Sequence, residues 1–302
     1  MACEAKDDYE RFEIIQATCE KMQQSYHGTK ARTIPEIPAN AKLDDLFANE
    51  EFDALIKQGN KIPFGFNASN AKLAYVNLTK TFCYLISGRK KCGKTNVMKL
   101  LLNSMSKVSG DIHVIDTKSF ELKKCAQQVG AKYYVEYEDM YRFFEGLIPV
   151  IQERNKLKRQ LLSEGMDEEE IYNRMKEEKA ILIMISDLAN FLEKAYSDEN
   201  EIGSMGAFLE NITEKGSQLN MYFFAVVDNN SQAALSRNQT FVNMKEYQTG
   251  MHLGGNLNAQ RIFNFINVSY KESNVLEKAG NGYMSSFDEP DMGEKIILPL
   301  VK

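Results

Sequence analysis

The segment Gly88-Arg89-Lys90-Lys91-Cys92-Gly93-Lys94-Thr95 decides how the rest of the chain is read. It fits G-x-x-x-x-G-K-[ST], the pattern of a loop that wraps an oligophosphate. Glycines let successive backbone N–H groups turn toward one anion, and the helix expected from Lys94 adds the positive end of its dipole. In that scheme Gly88, Lys91, Cys92, Gly93 and Asn96 shape the cradle. Lys94 reaches the β- and γ-phosphates, and Thr95 places its hydroxyl on Mg²⁺. ATP with Mg²⁺ is therefore the cofactor that the pattern implies. With Gly at ~7% of residues, such a match arises by chance in roughly one chain in a hundred of this length, and the flanking strand and helix patterns lower that.

Outward from the loop, short β-rich runs at 62–66, 73–78 and 82–87 precede it. After it the spacing predicts a helix over 94–108, a strand over 112–116, a helix over 120–129 and a long helix over 139–162. The stripe Met140, Phe144, Leu147 and Ile151 marks the core face of that long helix. A helix over 167–179 comes next, its mixed charges reading as a solvated face. The runs 181–185 and 221–227 are apolar almost throughout, as strands buried on both faces of a parallel sheet must be. The order predicts an α/β domain with a mainly parallel central sheet flanked by helices.

Upstream, Phe12, Ile15, Cys19, Met22 and Tyr26 recur at spacings of three and four, the pattern of one apolar helix face over 8–26. Residues 33–40 read T-I-P-E-I-P-A-N, and Pro35 and Pro38 favour an extended linker. The expected division is 1–40, a helix and linker continuing a preceding module, and 41–302, the α/β domain.

The composition narrows the partners. The 302 residues are 43% hydrophobic, enough for a full core, and 42 acidic against 37 basic residues give a net charge of −5. No global basic field draws the chain to nucleic acid. Five cysteines, Cys3, Cys19, Cys83, Cys92 and Cys125, form no C-x-x-C pair, which argues for a reducing compartment and no zinc. No run approaches the ~20 apolar residues that span a bilayer, so this piece is expected to be soluble. His27, His113 and His252 lie far apart and receive no catalytic role.

Residues 115–122, I-D-T-K-S-F-E-L, resemble the I-D-P-K-x-x-E-L segment of FtsK/SpoIIIE-type motors, with Thr117 in place of the proline. Residues 154–165 resemble the basic helix of those motors, and 181–192 their Walker B region. The preface T-I-P-E-I-P, the lead-in I-P-F-G-F at 62–66 and Gly280-Asn281-Gly282-Tyr283 resemble the ATPase modules of type VII secretion coupling proteins, the EccC/EssC family. The carboxy-terminal module of the EssC branch is the most similar. The resemblance implies a P-loop NTPase fold of the RecA/FtsK kind. It further implies a cytoplasmic domain of a membrane-anchored virulence-associated motor, other ATPase modules in the same chain, a homo-hexamer of the full-length protein, and small helical WXG-type secreted substrates.

The same alignment argues against full catalysis. Ser186 falls where those motors hold the metal with an aspartate, and Asp187 where a glutamate orients water; sliding by one makes Asp187 the metal partner and leaves Leu188 beside the water. Either register loses a carboxylate. At the sensor position Asp228 replaces a glutamine, placing a negative charge near the γ-phosphate. The expectation is a nucleotide-binding or docking module with weak or absent hydrolysis. The alternatives are an active protein-translocating ATPase and, further off, a DNA translocase. Arg237 and Arg261 are late candidates for an arginine finger. Gly254-Gly255-Asn256 is expected to punctuate the chain before a peripheral helix that turns several of Leu257, Ile262, Phe263 and Ile266 outward as a docking groove for substrate, independent of ATP.

Overall fold

A computed structural model describes residues 5–28, 36–289 and 291–301. The chain divides into two units, Met1–Glu36 and Ile37–Lys302. Residues 29–35, which include Pro35 of the expected linker, lie outside the described residues. In the first unit a helix runs Asp8–Ser25, started by Asp7, whose side chain accepts the Glu10 N–H. Its stripe of Phe12, Ile15 and Met22 is exposed. Among the described residues no helix is long and apolar enough to cross a membrane.

The second unit is built on one ten-stranded sheet. Its strands are β1 (Lys61–Asn67), β2 (Leu73–Asn77), β3 (Cys83–Gly88), β4 (Gly110–Ile115), β5 (Lys132–Tyr134), β6 (Ala180–Ile185), β7 (Met221–Asp228), β8 (Gly250–Gly255), β9 (Glu277–Ser285) and β10 (Gly293–Ile297). The spatial order is β2-β1-β10-β9-β8-β3-β7-β6-β4-β5. From β8 to β5 neighbours run parallel, and from β8 back to β2 antiparallel. The fold is thus α/β with a mainly parallel sheet, and the phosphate loop leaves β3 in its interior.

The central strands carry no polar alternation because both faces are covered. Successive side chains still point to opposite sides. Tyr84, Ile86, Leu182, Met184 and Phe224 join the core under helix Lys94–Met105. Leu85, Ile183, Ile185 and Phe223 join the other core, with Phe144 and Leu147 of the long helix Tyr137–Ser163 and Phe191 of helix Leu188–Ala195. Each such side chain, buried fully, contributes about 1.5–3 kcal/mol relative to exposure. Near the opposite end of the sheet from the loop, buried Arg154 donates to the carbonyls of Lys179 (2.7 Å), Leu219 (2.7 Å) and Asn220 (3.2 Å), fastening the segments that lead into β6 and β7. The basic helix seen in the sequence therefore anchors the scaffold at its first arginine.

The region past β7 departs from expectation. Gly254 and Gly255 close strand β8 instead of preceding a helix, both with left-handed φ (61° and 73°). After them the chain makes a single 3₁₀ turn, Leu257–Ala259. Leu257, Ile262 and Phe263 are buried, and of the four candidates for the outward face Ile266 alone is exposed. The reason is the antiparallel addition of β9 to β8, whose outer face needs a cover. Phe263 and Phe265 stack at 5.6 Å, Phe265 meets Tyr283 of β9 at 6.4 Å, and a Cβ on Gly250 would come within 2.6 Å of the Phe263 ring.

Candidate nucleotide site

The loop after β3 has the backbone its sequence calls for. A Cβ on Gly88 would lie 2.5 Å from the Leu253 carbonyl oxygen and 2.6 Å from Cys92 Sγ, so no other residue passes between β8 and the loop. Lys91 (φ 61°) and Gly93 (φ 108°) turn left-handed, and Gly93 caps helix Lys94–Met105. The first intrahelical bond runs from Val97 N–H to Gly93 O (3.0 Å), which leaves the amides of Lys94, Thr95 and Asn96 ahead of it at the open helix end. Cys92 is buried, its thiol pushed up by desolvation, and its carbonyl accepts the Gly280 N–H (2.9 Å); the Gly280-Asn281-Gly282 segment is thereby pinned to the loop.

Lys94 and Thr95 line a cavity of about 1030 Å³ together with Lys90, Lys91, Lys99 and Lys118 on the basic side and Glu121, Asp187 and Asp228 on the acidic side. Lys94 Nζ donates to Gly88 O (2.8 Å) and Arg89 O (2.7 Å) and pairs with Asp228 Oδ2 at 3.2 Å. Asp228 Oδ1 meanwhile accepts the Asn230 N–H (3.1 Å), starting the turn after β7. The side chain of Asn96 has other partners. Its Nδ2 donates to Pro299 O (2.7 Å) and its Oδ1 accepts the Val301 N–H (2.9 Å), so its side-chain amide holds the segment 299–301 against the helix while its backbone N–H stays at the open helix end.

The ends of β4 and β6 carry the residues of the two alternative registers. Ser186 extends β6, donating its N–H to Ile115 O (2.9 Å), and its Oγ donates to Asp116 Oδ1 at 2.7 Å. Asp116 is fully buried, and its carboxylate also accepts from Ser119 Oγ (3.2 Å), Leu122 N–H (3.2 Å) and Tyr133 OH (3.0 Å). Asp187 caps helix Leu188–Ala195 by accepting the Asn190 N–H (3.1 Å), and it pairs with Lys118 at 3.5 Å. Ser186 thus stands at the end of β6 with its hydroxyl engaged. The cradle fits an oligophosphate; a metal ion would find the Thr95 hydroxyl, while the strand-end carboxylates Asp116 and Asp187 are already tied to protein donors. Among the described residues no group of three or more His, Cys, Asp or Glu side chains is set to hold a metal.

The histidines are structural. His252 Nδ1 bonds Ser87 Oγ (2.8 Å) beneath the loop, and burial, reinforced by Lys94, lowers its pKa to about 4. His113 stacks on Phe143 (4.1 Å), bonds Tyr134 OH (3.0 Å) and is lowered to about 4, by burial first and by Lys132 second.

No family model and no curated protein matches this sequence. Solved structures do. The chain is similar to the cytoplasmic domain of EssC (TM-score 0.73, 19% identity, 99% of this chain and 55% of that one). It is equally similar to ATPases 2 and 3 of EssC from Geobacillus thermodenitrificans (0.72, 18%, 99% and 52%). The fold is that of the type VII secretion ATPase domains. ATPases 2 and 3 of EccC from Thermomonospora curvata, in complex with a signal sequence peptide, match at 0.59 with 13% identity, over 99% of this chain and 50% of that one. The chain spans about half the length of these proteins.

Against the secretion ATPase fold, a second cavity of about 690 Å³ opens between helix Gln239–Glu246 and the segment 259–262, lined by Ala233, Phe241, Val242, Ala259 and Ile262 with Lys245 and Arg261 at hand. Arg237 and Arg261 are both exposed. Sequence reasoning missed the Asn96 clasp and the Ser186–Asp116 bond. The first left no local signal; the second was foreshadowed by two polar residues closing neighbouring strands.

Proposed function

We propose that the chain is a nucleotide-binding module of a type VII secretion motor that hydrolyses ATP weakly or not at all. In this reading it serves the cytoplasmic, membrane-anchored motor as a docking and regulatory domain, beside other ATPase modules of one chain and within a homo-hexamer. The observation that carries it is the Ser186 hydroxyl bonded to buried Asp116 beside an intact phosphate loop. The loop supplies backbone amides, Lys94 and the Thr95 hydroxyl for MgATP. A neutral hydroxyl at the metal-holding position offers the cation far less than a carboxylate would. Lys94→Ala supplies the background for a steady-state phosphate-release assay. Wild-type turnover is expected to stay at that background, and turnover well above it, lost in Lys94→Ala, would overturn the reading.

The cargo is proposed to be a small WXG-type secreted protein, recognised through a helical signal. The cavity beside Ile262 is its site: Ala233, Phe241, Val242, Ala259 and Ile262 give it an apolar stretch, with Lys245, Glu246 and Arg261 among its polar lining, which suits the apolar face of one helix. An EccC relative has been solved with a signal sequence peptide. Ile262 is buried, and Leu257 and Phe263 are not among the lining residues, so Val242, half-buried in the cavity wall, is the residue to change. Val242→Asp is expected to weaken binding of a helical signal peptide at least tenfold while Lys94→Ala leaves it unchanged. The converse pattern would move recognition to the nucleotide site. The net charge of −5 favours protein over DNA as cargo.

A further inference from the structure

We infer that Asp228 makes the site selective for a nucleoside diphosphate over the corresponding triphosphate. The inference rests on the nucleotide-binding reading above and names the ligand class within it. Asp228 lies directly beside Gly88 in the parallel β3–β7 register, at the strand end that faces the cavity. Its carboxylate is 3.2 Å from Lys94 Nζ, and both side chains are largely withdrawn from solvent.

The two outer phosphates depend on different parts of such a site. The β-phosphate sits in the loop and draws chiefly on backbone amides and the helix end, which are no partners of Asp228, with Lys94 shared between it and the γ-phosphate. The γ-phosphate extends beyond the loop toward the strand ends and relies on the lysine and on the metal. Here the lysine is shared with a carboxylate on that side, so a γ-phosphate must both displace Asp228 from Lys94 and approach its negative charge. Nothing at the strand ends offsets this. Ser186 is neutral and bonded to Asp116, and the exposed ammonium of Lys118 is paired with Asp187. Lys90 and Lys91 are exposed and attract di- and triphosphate alike. Lys94 serves the β-phosphate as well, but a diphosphate places no terminal phosphate toward Asp228 and so escapes the repulsion.

Two like charges brought within a few ångström at a partly buried site shift an equilibrium by at least about tenfold. The test is calorimetric titration of the whole chain with ADP and with ATP, each with and without Mg²⁺, for the wild type, Asp228→Asn and Lys94→Ala, with folding checked by circular dichroism. Asparagine retains an oxygen for the Asn230 amide, so the variant keeps its turn. The expected result is ADP bound about tenfold or more tighter than ATP by the wild type, and a gap closed in Asp228→Asn chiefly through tighter ATP binding. Equal or tighter binding of ATP by the wild type, or an unchanged gap in Asp228→Asn, overturns this inference and leaves nucleotide binding standing. Binding of neither nucleotide by the folded wild type overturns the nucleotide reading and this inference with it.

Discussion

The two walls of the phosphate cavity are built by different means. On the loop side, Gly88 to Thr95, the binding groups are mostly backbone amides whose directions are fixed by left-handed turns and by the start of a helix. On the strand-end side, Asp116, Ser186 and Asp187 would have to supply chemistry through side-chain atoms, and those atoms are bonded to one another and to Ser119, Tyr133, Leu122 and Lys118. On the proposed function, the contrast is how a site would keep one capacity and shed another. Backbone donors survive almost any substitution compatible with the turn. A metal position is lost with one aspartate, and the vacated hydrogen-bonding capacity is taken up by neighbours.

That contrast can be broken most forcefully at Asp116. Truncation in Asp116→Ala strands four donors in a buried place and is expected to cost about 3–5 kcal/mol in denaturant unfolding, whereas Lys94→Ala on the loop side is expected to leave stability within about 0.5 kcal/mol. Similar stability losses from both variants would mean that the strand-end network is no more structural than the loop.

Protons offer a second probe. His252 lies under the loop and His113 on β4, and both have folded pKa values of about 4 against about 6.5 in an unfolded chain. The unfolded chain therefore binds more protons between these values, so the stability due to neutral imidazoles is present above pH 6.5 and is lost as pH falls toward 4. The loss is up to about 3 kcal/mol per histidine. His113→Phe, which preserves the ring stack, is expected to remove about half of that pH dependence; an unchanged slope between pH 6.5 and 4 would show that the imidazoles titrate alike in both states.

The smallest effect belongs to the loop side. Asn96→Ala deletes two bonds to the segment 299–301 and is expected to cost about 1–2 kcal/mol, and to raise amide exchange at Val301 before any other described residue of the second unit. Loss of nucleotide affinity with unaltered exchange at Val301 would return Asn96 to the phosphate cradle.

How far each feature was legible depends on the distance over which it is decided. The loop, the helix it starts and the apolar strands β3, β6 and β7 rest on groups a few residues apart, on local turns and on burial of whole runs, so the sequence alone placed them and the α/β order with them. Strands β8 to β10 escaped because glycines interrupt their pattern: Gly254 and Gly255, which read as a helix boundary, instead end β8, and Gly280 and Gly282 lie within β9. The docking residues Leu257, Ile262 and Phe263 were assigned to a helix that tertiary packing replaced with a covering segment. The sequence by itself determined the loop pattern Gly88–Thr95 and the residues Ser186, Asp187 and Asp228 that close the neighbouring strands. Tertiary structure decided what the altered residues do: Ser186 meets Asp116 across 70 positions, Lys94 meets Asp228 across 134, and Asn96 meets Val301 across 205. Which strand lies beside which is set by how the sheet buries its faces, and spacing along the chain carries no record of that choice.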